Sequence, residues 1–241
     1  AYSGLTNLPA MYVVARLAGP AFTTATTAVS FDRTGVAGPR LVADGGGGVW
    51  FGATRSGGGA LTVSTFSIPV GGGADAILVH VSPTPTSIVL AATSVRTAAA
   101  EYLFMLAPYG AGGVLASVRT TSATYTAPNS LTVTSPSATW TILQALDATG
   151  TVLLHSPYTV TAGGKAEVVA VQVVPAGAED GGNMYFAAVE QAGTVDYKGS
   201  VGPQTGAVVR SVLLDEKLLG RAHYVLTYDT GGGSDPIEDV A

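Results

Sequence analysis

Short runs rich in Val, Thr, Ile, Leu and aromatic residues follow one another along almost the whole chain, each cut off by Gly, Pro or Asp. Representative runs are Met11–Leu17, Val49–Thr54, Ala76–Val81, Val114–Thr120, Thr139–Leu146, Glu167–Val174 and Val208–Leu214. Their residues either alternate apolar with polar or are continuously apolar, as half-buried and fully buried strands do. Helical periodicity is nearly absent. Two stretches, Thr97–Met105 and Ser211–Leu219, carry a helix-compatible pattern, and both read equally well as strands with turns. The 32 Gly and 13 Pro among 241 residues supply the breaks that a succession of hairpins needs. The pattern predicts an antiparallel all-β fold.

Two architectures fit it. An aromatic within an apolar strand recurs at Tyr12, Trp50, Tyr102, Trp140, Tyr185 and Tyr224, each followed by a glycine-containing turn. The interval is about 40 residues, which holds the four strands of a propeller blade. Asp44-Gly45-Gly46-Gly47-Gly48-Val49-Trp50-Phe51-Gly52 resembles the D-x-x-G-x-x-W-x-G-T signature of some β-propeller blades, with the threonine one residue late at Thr54. A looser echo runs from Asp180 to Phe186. The resemblance implies that the aspartate closes a turn and that the aromatic packs between neighbouring blades. Against it stands one or two β-sandwiches, jelly-roll or immunoglobulin-like, since hairpins with a buried aromatic occur in any antiparallel protein. We expect residues 1–228 to form the all-β domain, with a sub-boundary near 125–136 in the two-sandwich version. Residues 229–241 then form an acidic, glycine-rich tail.

Charge is sparse and uneven. Only 11% of residues are charged, against about 25% in an average soluble domain. Residues 1–124 carry six Lys/Arg and four Asp/Glu (+2), whereas residues 125–241 carry five and twelve (−7). No run of three basic residues occurs, so direct nucleic-acid binding is not expected. No window approaches 18 consecutive apolar residues, so no membrane-spanning helix is expected either. Ala1-Tyr2-Ser3-Gly4 shows no signal-peptide pattern; a removed initiator Met and a removed signal peptide are both compatible with it. Asp235, Glu238 and Asp239 in the acidic tail are candidate assembly contacts, meeting a less acidic surface on a neighbour.

The catalytic inventory is thin. Cysteine is absent, which removes thiolate chemistry and disulfides. His80, His155 and His223 stand alone, with no H-x-H or H-E-x-x-H spacing, so no metal is expected. Neither a G-x-S-x-G elbow nor a phosphate-binding glycine loop occurs, and no cofactor is implied. Asp32, Asp44, Asp75, Glu101, Asp147 and Asp196 supply isolated carboxylates that no sequence spacing brings together. Trp50 and Trp140 are candidate platforms for stacking on a sugar ring, with core packing as the competing role. We therefore expect a non-enzymatic structural protein of an assembly, most plausibly a virion component (capsid, decoration or tail) whose partners are copies of itself and other assembly proteins. An extracellular, lectin-like glycan-binding module and a surface filament subunit are the alternatives.

Overall fold

The computed structural model describes residues 11–18, 24–32, 35–57, 60–71, 73–82, 89–126, 132–134, 139–155, 158–160, 163–174, 184–197, 202–215 and 222–228. Among these it contains twenty-one strands and no helix, so the chain is all-β. A hairpin joins β1 (Met11–Ala18) to β2 (Thr24–Asp32). Then β3 (Val36–Ala43), β4 (Val49–Ser56), β7 (Ala74–Val81) and β8 (Val89–Val95) form a four-stranded antiparallel sheet in the order β3-β4-β7-β8. The short hairpin of β5 (Leu61–Val63) and β6 (Phe66–Ile68) lies between β4 and β7 in the chain.

A larger sheet runs from β9 (Glu101–Tyr109) through β10 (Gly113–Thr120), β13 (Thr139–Leu146), β16 (Lys165–Val174), β17 (Met184–Ala192) and β20 (Val208–Asp215) to β21 (Ala222–Tyr228). The strand β14 (Val152–His155) also pairs with β13. Two small sheets complete the set. One joins β11 (Thr124–Thr126) to β12 (Thr132–Thr134), and the other holds β15 (Tyr158–Val160), β18 (Thr194–Tyr197) and β19 (Gly202–Thr205).

Side-chain alternation shows how the layers stack. Trp50, Ala76 and Leu78, on one face of the small sheet, share a core with Val114, Val118, Trp140 and Ile142 of the large one. Phe51, Ile77 and Val79, on the other face, pack with Leu61, Val63 and Ile68 of the β5–β6 hairpin. Strand β7 is therefore buried along all of Ala74–Val81, which explains why its sequence is apolar almost throughout instead of alternating. Each Val, Leu or Ile enclosed this way contributes about 1.5–3 kcal/mol. Gly52 permits the close approach of the two sheets. A Cβ there would lie 2.5 Å from a methyl group of Leu103.

The large sheet does not stay flat. All its pairings are antiparallel except that of β13 with β16, which is parallel and covers only Thr139↔Lys165 and Trp140↔Ala166. Beyond that point side chains replace the ladder. The Val168 N–H donates to Thr141 Oγ1 at 3.0 Å, and Ser117 Oγ donates to Val168 O at 3.2 Å. Ser117 lies on the face of β10 opposite to Val118, whose register partner Leu103 faces the small sheet. So β16 turns a corner at Thr141 and crosses the far face of β10, reaching β9.

The 40-residue spacing of aromatics does not build propeller blades. Tyr102, Trp140, Tyr185 and Tyr224 lie in β9, β13, β17 and β21 of one and the same sheet. Stacked β-sheets, the alternative drawn from the same pattern, are what these residues form. Of the two helix-compatible stretches, Glu101–Met105 is strand within β9, preceded by a loop at 97–100, and Ser211–Asp215 is strand within β20, the rest of the second stretch lying outside the described residues.

Candidate functional site

A densely bonded polar cluster sits at one end of the sandwich, around His80. The β4–β7 register sets Trp50 directly opposite His80, and the two rings stack with centroids 4.6 Å apart and planes within 5°. Asp44 ends the strand before them. Its Oδ1 accepts the N–H groups of Gly46 (2.7 Å) and Gly48 (2.9 Å), closing the turn after β3 as the aspartate of the blade-like signature was expected to do. Gly45 and Gly47 take φ values of 79° and 92° there, which side-chain-bearing residues rarely adopt. The other oxygen, Oδ2, lies 2.9 Å from His80 Nε2, and His80 Nδ1 lies 2.8 Å from the carbonyl oxygen of Ala148. Trp50 Nε1 donates to Gly112 O at 2.9 Å. Three turns, at 44–48, 110–112 and 147–150, are thus tied to one stacked pair.

Burial disfavours the Asp44 carboxylate, but the His80 hydrogen bond and the Gly46 N–H outweigh it and hold its pKa below the ordinary value. An ionised carboxylate and a backbone carbonyl both only accept. One such acceptor lies at each ring nitrogen of His80. The pair has the look of a base and its orienting carboxylate, yet the free nitrogen such a base needs is engaged by Ala148, and His80 is 1% exposed. Its role here is to join the small sheet to the β13–β14 turn.

Two further carboxyls lie near each other in the interior. Asp75 accepts the Gly71 N–H at 2.6 Å through Oδ2, while its buried Oδ1 has no hydrogen-bond partner. Glu101 accepts Thr97 N–H at 2.6 Å and the hydroxyls of Thr97 and Thr120. Burial raises the pKa of both, only partly offset by the Gly71 N–H and the Arg96 charge for Asp75 and by the threonine hydrogen bonds for Glu101; the Asp75 charge raises Glu101 further. Beyond them, Tyr125 donates to Gln144 Oε1. Its phenol is pushed upward by burial and by the Glu101 charge. Both carboxyls are fully enclosed, so they present nothing to a glycosidic bond.

A group whose pKa is raised by folding contributes stability below its unfolded value and loses it as pH rises through the folded one. Asp75 and Glu101 thus favour the folded chain at acid pH, whereas Asp44, with a lowered pKa, favours it above its unfolded value. Asp75→Asn keeps an acceptor for Gly71 and removes the titration. At pH 8 the variant is expected to melt about 2–4 °C above the wild type, and the gain should vanish near pH 4. An equal or lower melting temperature at pH 8 would show that the enclosed Asp75 charge is not a liability.

At the sheet corner, Arg119 and Lys165 both reach Glu167 at 3.1 Å, and Lys165 reaches Glu190 at 2.9 Å. Burial alone would depress Lys165, but Glu190 and Glu167 raise it. This ribbon of charge crosses β10, β16 and β17 and offsets the like-charged pair Glu167↔Glu190 in the register.

Trp50 and Trp140 are both fully buried, and Trp140 Nε1 donates to Ser122 O at 2.7 Å. Neither indole offers a face to a sugar, which corrects the stacking-platform expectation in favour of core packing. Asp235, Glu238 and Asp239 lie outside the described residues. Among the described residues no group of three or more His, Asp or Glu is placed to hold a metal ion.

Neither any protein-family model nor any curated protein matches this chain.

Proposed function

We propose that this chain is a non-enzymatic structural subunit of an assembly, of the capsid, decoration or tail kind from which a virion is built. One observation carries the reading. Leu41, Leu90, Tyr102, Phe104 and Leu153 stand in solvent on β3, β8, β9 and β14, strands at the borders of their sheets, in a chain with few charges. Single exposed apolar residues are ordinary. Their concentration on border strands is not, because a sheet edge is where another chain docks and where proteins that stay alone place charge or proline. Copies of the chain and other assembly proteins would cover these residues.

Light scattering over a concentration series, with negative-stain images of the same fractions, tests this. Growth into rings, shells or filaments is the expected result. A monomer at every concentration would overturn the reading. Reversing Asp235, Glu238 and Asp239 to lysine should impair growth without changing the melting temperature, and unimpaired growth would remove the acidic segment from the mechanism.

A further inference from the structure

We infer that copies of this chain join head to tail, the β3/β9 border of one copy packing on the β8/β14 border of the next. The inference rests on the assembly reading and names its two contact surfaces.

Three of the exposed apolar residues share a structural cause. In the β7–β8 ladder His80 pairs with Ala91 and Val81 with Val89, so Leu90 is passed over. In the β9–β10 ladder Met105 pairs with Ser117 and Leu103 with Val118, so Phe104 is passed over. In the β13–β14 ladder Leu154 pairs with Ala145 and Val152 with Leu146, so Leu153 is passed over. Each is the unpaired residue of a bulge, the device that re-aims a side chain and bends a border strand. Three border strands spend a bulge on turning a large apolar side chain outward.

These borders lie on opposite sides of the sandwich. In the small sheet β3 and β8 are the two outer strands. On the first side β3 meets β9, where Arg40 Nε donates to Phe104 O at 3.1 Å. On the second, Ala91 of β8 lies against Gly150 of the turn leading to β14, its Cβ 3.0 Å from where a Gly150 Cβ would be. Tyr102 and Phe104 belong to the first border, and Leu90 and Leu153 to the second; Leu41, opposite Phe51, lies on the outer face of the small sheet.

Contact is by side chains and not by an added strand. Arg40 occupies the Phe104 carbonyl, the bulge interrupts the β9 ladder, and Pro108 has no N–H to give. Charge selects the pairing. Arg40 is exposed on the first border, while the β13–β14 turn beside the second carries Asp147, its carboxylate kept ionised by Thr149, Thr151 and Gly150. A second copy of this chain supplies both halves of that match. Because the two surfaces differ, the contact is heterologous, and repetition gives a ring or an open filament.

Phe104→Glu damages the first border only, and Leu153→Glu the second only. Each variant alone is expected to remain monomeric with an unchanged melting temperature. Mixed in equal amounts, they should form a complex of twice the monomer mass and nothing larger, since one intact border remains on each. Tyr102→Glu and Leu90→Glu form a second pair should either first variant fold poorly. Variants that assemble like the wild type, or a mixture that yields no dimer, would overturn the inference while the assembly reading stands. A wild-type chain that never associates would overturn both.

Discussion

Replacing His80 with alanine is expected to lower the free energy of unfolding by about 3–5 kcal/mol, the usual effect of leaving a buried charge, here the Asp44 carboxylate, without its partner. Three losses combine. Asp44 Oδ2 keeps its charge but loses its donor, Ala148 O loses its only described side-chain donor, and Trp50 loses the ring it stacks on. Asp44→Asn should be milder, about 1–2 kcal/mol, because the amide nitrogen can donate to His80 Nε2 where the carboxylate accepts from it, and the Gly46 and Gly48 N–H groups keep an acceptor. Denaturant titration of both single variants and the double variant gives the coupling, expected at about 1–3 kcal/mol. Additive single effects would mean that the two side chains do not act as a unit.

Trp140→Ala is expected to cost a similar amount, about 3–5 kcal/mol. The side chain is wholly enclosed, and its removal also leaves Ser122 O without the indole donor. The two tryptophans are the only ones in the chain, so fluorescence excited selectively at tryptophan reports on them alone. It should be blue-shifted, resist quenching by acrylamide and ignore added mono- and oligosaccharides. Trp140→Phe should keep most of the stability and leave Trp50 as a single buried reporter. A sugar-dependent emission change in the wild type would reopen the glycan-binding alternative.

The strands were legible because a half-buried strand must alternate and a turn must use Gly, Pro or Asp. Thr139–Leu146 agrees with the structure to the residue. Strand β3 was not visible, since Gly38, Pro39 and Arg40 interrupt its alternation where its register with β4 shifts. Strand β19 is four residues long and contains Pro203, which reads as a turn. The stacking order of sheets depends on which faces are buried, and periodicity within a strand does not carry that. The recurrence of aromatics every 40 residues was real in sequence, but it marks strands of one sheet and not equivalent positions in separate blades.

The polar clusters show the same boundary. The sequence marks Asp44, Asp75, Glu101 and His80 only as single residues, and Asp44 as a turn closer. Their meetings depend on contacts between residues 36 apart for Asp44 with His80 and 26 apart for Asp75 with Glu101. One signal did exist for the first. Following the β4 and β7 runs as antiparallel neighbours sets Trp50 against His80, which brings the histidine to the aspartate-closed turn. Nothing comparable marks the second pair, because Thr97 and Gly71 position those carboxyls from loops.

The corner at Thr141 has a mechanical consequence. Backbone pairing between the two halves of the large sheet is limited to two residue pairs, supplemented by the hydroxyls that hold Val168. Beyond those pairs the two halves are held face to face by side chains, through the shared core of Val118, Trp140, Ala166 and Val168 and the Arg119–Glu167 ion pair. In a filament or ring joined through the borders of β3, β8, β9 and β14, the line of tension bypasses that junction. The strands from β16 onward then lie beside the load path.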